Sequence, residues 1–163
     1  MRLPGIPDEA LDLENRGTWA MGQPTLFAAF EILRKQWRAG HRERELGLHL
    51  LFLSWYMLLE PAHLTGFDEA LLPTEWLAEL FNEVHEYLGP ANSNDPELLY
   101  VVGLIAHLSP WLLGDNSTWE HRSESYRATY RQVVHEGIDS AMFNGRGAYG
   151  EYFAGQARVV GGF

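Results

Sequence analysis

The stretch Leu46-Gly47-Leu48-His49-Leu50-Leu51-Phe52-Leu53-Ser54-Trp55-Tyr56-Met57-Leu58-Leu59 decides the fold of this chain. It contains no Asp, Glu, Lys or Arg, and its apolar residues fall on nearly every face when wound as a helix. A surface helix would show one apolar stripe, so this pattern predicts a helix covered on all sides. The charged run Arg42 to Glu45 leads into it, and Pro61 ends it, because proline lacks the N–H a continuing helix needs.

A second segment of the same kind runs from about Asp95 to Ser109 and carries Leu98, Leu99, Val101, Val102, Leu104, Ile105 and Leu108, with Pro110 kinking or ending it. The uncharged run Leu98 to Leu113 is shorter than the roughly 20 apolar residues a membrane span requires, so it reads as a second central helix and no membrane is expected. Two central helices need covers. Pro24 opens one, in which Leu26, Phe27, Phe30, Leu33 and Trp37 recur at helical spacing before Gly40. Another runs from Pro73 and Thr74 to Leu88, closed by Gly89 and Pro90. A third is announced by Ser117 and Glu120, the spacing of a capping box, and places Trp119, Tyr126, Tyr130, Val133 and Val134 on a half-polar face up to Gly137.

Outside these elements the signals weaken. Residues 1–23 are rich in turn formers and predict an arm with one helical turn near Asp8 to Leu13. Residues 137–163 hold seven glycines among Phe143, Tyr149, Tyr152, Phe153 and Phe163 and predict a wrapping segment with a short helix near Tyr149 to Gln156. Leu53-Ser54-Trp55 and Leu108-Ser109-Pro110 are faintly alike, as two related helical hairpins would be. The expectation is a single all-α domain, a compact five- to six-helix bundle or short helical-hairpin array with an irregular Gly- and aromatic-rich C-terminal segment. Its parts are an arm (1–23), a helical body (24–136) and a wrapping tail (137–163). At 163 residues the chain can bury a conventional core.

The absence of cysteine excludes disulfides, thiolate zinc sites and a cysteine nucleophile, and fits a reducing cytoplasm. Met1 to Pro7 carry no apolar block, so no secretory signal is read there. Twelve Lys and Arg against 22 Asp and Glu give a formal charge of −10, which opposes binding to nucleic acid and to acidic membrane surfaces.

That charge is concentrated. Residues 61–116 hold nine acidic groups and no Lys or Arg. Within them, Glu75, Glu79, Glu83 and Glu86 are spaced by four, four and three, an arc of about 80° on one helix at about 100° per residue. Leu77, Leu80, Phe81, Val84 and Leu88 point the other way. Like charges at such spacing destabilise a helix by about 0.2–0.5 kcal/mol per pair. The stripe therefore gains nothing inside the monomer, apart from the dipole's preference for a carboxylate at Glu75 in the first turn. It reads either as a docking surface for a basic protein or Arg-rich segment, steered by charge and weakened by salt, or as a solvated face.

Other constellations are less specific. Gly145-Arg146-Gly147-Ala148-Tyr149-Gly150 matches G-x-G-x-x-G but lacks the preceding strand and βαβ context of a dinucleotide site, so its glycines read as tight turns and close backbone approach. Arg146, with Tyr149 and Tyr152, is a candidate anion or peptide contact. The seven histidines show no metal-ligand spacing, and no metal or cofactor is expected; Glu45 and His49 share a face as a hydrogen-bonded pair. His49 and His107 read as core histidines, which would support acid–base chemistry only if they met near Ser54 or Ser109. The functional expectation is a non-enzymatic domain that docks a basic protein through its acidic helix, in the manner of an inhibitor, an immunity protein or an adaptor. The alternative is a small helical enzyme or ligand-binding domain with a His- and aromatic-lined pocket between helices. Homo-oligomerisation is compatible with either.

Overall fold

In a computed structural model describing residues 2–159, the two apolar segments form the centre: α3 (Arg44–Leu59) and α6 (Pro96–Leu108). From Leu46 to Trp55 every residue of α3 is buried, as is every residue of α6 from Glu97 to Ala106. Burying a Leu or Val side chain stabilises by about 1.5–3 kcal/mol, so these two helices carry much of the hydrophobic driving force. Truncating one of their fully buried leucines, as in Leu51→Ala, is expected to remove about 2–5 kcal/mol in urea unfolding.

The covers surround them. α5 (Thr74–Leu88) packs mainly on α3, and α7 (Asn116–Val133) mainly on α6. α2 (Leu26–Arg38) buries Leu26, Phe27, Phe30, Leu33 and Trp37 and packs on α3 and α1 (Asp8–Arg16). A single-turn helix, α4 (Ala62–Thr65), follows α3, and α8 (Gly147–Val159) closes the described chain against α1, α3 and the 3-10 turn Ser140–Phe143. The fold is all-α, and no strand occurs among the described residues. The two look-alike tripeptides meet: Trp55 Nε1 donates to Ser109 Oγ at 2.6 Å, tying the end of α3 to that of α6.

Three local expectations are corrected. The arm contains a nine-residue helix, α1, held by the burial of Leu3, Ile6 and Ala10 and started by Pro7 with Asp8 and Glu9 in the first turn, where the dipole favours them. The Ser117–Glu120 capping box does not form, because α7 begins earlier. Asp115 is its cap and accepts from the Thr118 N–H at 2.9 Å and the Thr118 hydroxyl at 2.8 Å, a charged acceptor in place of a serine. The C-terminal segment is regular from Gly147 to Val159, longer than the short helix expected from Tyr149 to Gln156. Residues 160–163, the end of the predicted wrapping tail with Phe163, lie outside the described residues.

Two glycines of the G-x-G-x-x-G match are explained by close approach. Gly147 has φ +69°, and a Cβ there would lie 2.6 Å from Glu14 Oε1; a Cβ on Gly150 would lie 2.2 Å from the Phe143 carbonyl oxygen. The motif thus lets α8 seat against α1 and the turn before it.

Candidate functional site

The four carboxylates of α5 are exposed, as their spacing predicts, while Leu77, Leu80, Phe81 and Val84 face the core and Leu88 is half-buried. They are not equivalent. Glu83 accepts from the Trp37 indole N–H and from Arg38 of α2, both at 2.8 Å, so this one position does gain a partner within the chain. Spacing along a single helix says nothing of what α2 brings beside it. Arg34, the other arginine bordering the face near Glu79, is held by Glu31 at 3.1 Å. Glu75, Glu79 and Glu86 make no ion pair among the described residues. Trp76, half-exposed, stands among them, and Tyr87, packed edge-on to Trp37 at 5.5 Å, flanks their C-terminal end at 54% exposure.

A second cluster lies inside. Glu14 of α1, Glu45 and His49 of α3, Glu97 of α6, and Arg146 and Tyr149 at the start of α8 converge in a buried network. His49 Nδ1 lies 2.6 Å from Glu14 Oε2, its Nε2 lies 3.3 Å from Glu45 Oε2, and its ring stacks on Tyr149. Arg146 donates to Glu45 through Nε (2.8 Å) and Nη2 (2.5 Å) and pairs with Glu97 at 2.6 Å. The Tyr149 hydroxyl donates to Glu97, whose other oxygen accepts from Arg44 at 3.1 Å. Glu14 also accepts the Tyr149 backbone N–H, satisfying a free donor in the first turn of α8.

His49 and Arg146 face Glu14, Glu45 and Glu97 from inside the cluster, and Arg44, which also holds Asp95 at 2.7 Å, reaches Glu97 from its edge. Burial opposes charge on His49, but the charge and hydrogen bond of Glu14, followed by those of Glu45, outweigh it and raise its pKa to about 9. Burial likewise opposes ionisation of Glu45, and the hydrogen bonds and charges of His49 and Arg146 outweigh that, holding its carboxyl at about 2. Tyr149 is pushed well up, by burial first and then by the neighbouring Glu97. Each polar group here is committed to another, which makes the cluster a clamp joining α1, α3, α6 and α8.

The remaining candidates separate. His107 is exposed and lies 3.1 Å from Arg127, whereas His49 is enclosed, and Ser54 bonds back to the Leu50 carbonyl. The His–Ser meeting needed for acid–base chemistry therefore does not occur among the described residues. His85 is buried in place of His107, against Trp119 and the Tyr126 hydroxyl; burial and then the charge of Arg122 lower its pKa to about 4. Among the described residues no three His, Asp or Glu side chains are grouped to hold a metal ion, and no helix is long and apolar enough to cross a membrane. Of the candidate contact set, Arg146 and Tyr149 sit in the buried clamp and Tyr152 lines a separate cavity.

Glu14 and Glu97 escape a reading of the sequence. Glu14 follows Ala10 by four residues, so both lie on one face of α1, and Glu97 opens the central helix α6. A carboxylate on a buried face is a readable sign of an internal partner, but the partners stand up to 135 residues apart in the chain. Comparison with protein-family models, curated proteins and solved structures gives no match. Function is therefore read from the geometry alone.

Proposed function

We infer that this protein is a non-catalytic binding domain that docks a basic protein, or an Arg-rich segment of one, on the exposed face of α5. The observation that carries this reading is the set Glu75, Glu79 and Glu86, exposed and without ion pairs among the described residues, with half-exposed Trp76 between them. At several other carboxylates the chain supplies the cation itself: Arg38 to Glu83, Arg44 to Asp95, Arg146 to Glu45. On α5 it leaves three of them to another molecule. An aromatic residue amid unpaired charges suits an interface, where Trp and Tyr contribute anchors and charge complementarity sets encounter and register.

The test is capture of partners from the lysate of the source cell at low and high salt. Wild type is compared with the variant Glu75→Gln, Glu79→Gln, Glu86→Gln and with a charge-matched control carrying Glu120→Gln, Glu124→Gln, Glu136→Gln on α7 and just beyond it. A basic protein retained by wild type and by the control, lost by the α5 variant and released by salt, is the expected result. Equal retention by all three contradicts the reading.

A further inference from the structure

A cavity of about 430 Å³ opens between the loop after α1, the end of α3 and the outer side of α8. That volume lies within the range of small-molecule sites. Its aromatic lining is Trp19, Phe52, Tyr56 and Tyr152, with Tyr56 stacked on Phe52 at 5.0 Å and set edge-on to Tyr152 at 5.9 Å.

Two carboxylates complete the wall, Glu60 at the C-cap of α3 and Glu151 of α8. Glu151 Oε1 holds the loop in place by accepting the Trp19 N–H at 2.7 Å. Glu60 is half-buried and makes no side-chain hydrogen bond or ion pair among the described residues. Both carboxylates act on the cavity's interior: burial first, then Glu60 and Glu151, raise the pKa of Tyr56, and burial, Tyr56 and Glu60 push Tyr152 up to about 12. Among the described residues Arg158 is the one cation in the lining; it is exposed, whereas Glu60 and Glu151 are half-buried, and the two carboxylates outnumber it.

We propose that this cavity binds a small organic cation with a quaternary or methylated ammonium head. Aromatic rings attract a cation through their negative faces, and the attraction strengthens when water is excluded. The two carboxylates add charge complementarity that a neutral apolar ligand would not use. Because four aromatic residues line the cavity beside Leu26, Ala20 and Ala148, it suits a cation whose charge is spread over methyl groups better than a primary ammonium with three N–H donors to satisfy. The site shares no residue with the α5 face, and neither proposal depends on the other.

Choline is the probe, paired with its neutral isostere in which a tert-butyl group replaces the trimethylammonium. Binding is read by calorimetry and by tryptophan fluorescence, Trp19 being 87% exposed at the cavity wall. Saturable choline binding at millimolar concentrations is expected, with the isostere weaker by about tenfold or more. Glu60→Gln, checked by thermal melting to be folded, is expected to weaken choline severalfold while leaving the isostere unchanged. Equal affinity for the two compounds, binding of neither, or an unaltered choline affinity in Glu60→Gln overturns the proposal.

Discussion

Carboxylates occupy two contrasting settings in this molecule. Inside, Glu14, Glu45 and Glu97 are buried, and each is matched to a cation or donor from a distant part of the chain. On α5, Glu75, Glu79 and Glu86 lie in water with no ion pair among the described residues. The same chemical group is structural in the first place and available in the second. Burial makes the difference: a buried charge that loses its partner is left without solvent, whereas an exposed one is merely hydrated.

The sharpest way to break the contrast is Arg146→Met. It keeps an apolar stem but takes the shared guanidinium from buried Glu45, left with His49 alone, and from Glu97, and a loss of about 3–5 kcal/mol in urea unfolding is expected. A loss below about 1 kcal/mol, the range of an exposed pair, would mean that the clamp is not a buried ion network.

The next largest effect is in pH. His49 has a folded pKa of about 9, raised above the unfolded value of 6.5, so its contribution is complete below pH 6.5 and lost as pH rises through 9. His85 has a folded pKa of about 4, depressed below the same 6.5, so its contribution is complete above pH 6.5 and lost as pH falls through 4. Glu45, held at about 2 against an ordinary 4.5, loses its contribution as pH falls below 4.5 through 2. Stability should therefore peak near pH 6.5 and fall by about 3 kcal/mol as pH rises through 9 and His49 deprotonates. Thermal melting across pH measures this. His85→Phe should flatten the acid limb between pH 6.5 and 4 and leave the alkaline limb unchanged.

Smaller still is Glu83→Gln. The Arg38 pair is half-exposed and screened, and glutamine still accepts from Trp37, so less than about 1 kcal/mol should be lost in urea unfolding. A loss as large as that of Arg146→Met would erase the distinction between surface and interior.

How far each setting can be read in advance follows from the range of its interactions. Helices α2, α3, α5 and α6 are legible because their identity lies in local periodicity; Leu26 to Trp37 and Leu77 to Val84 fall on buried faces as their spacing predicts. The exposure of the α5 carboxylates is legible for the same reason. Glu83 departs from the expectation because its partner, Arg38, belongs to another helix. α1 and α8 exceed their predicted lengths because distant contacts hold them. Each glycine in a helix interior costs about 1 kcal/mol relative to alanine, which argues against α8, yet Gly147 and Gly150 are what allow it to approach Glu14 and Phe143. The clamp joins residues from the beginning, middle and end of the chain, and no local pattern announces that Glu14, His49 and Arg146 will meet.

The most direct measurement uses one protein, the variant Glu75→Gln, Glu79→Gln, Glu86→Gln, and two readouts, its urea midpoint and its retention of a basic partner. Removing like-charge repulsion should leave the midpoint unchanged or raise stability by about 0.2–0.5 kcal/mol per relieved pair, while the partner is lost. A lowered midpoint with the partner retained would contradict the account, because the α5 carboxylates would then be serving the fold rather than another molecule.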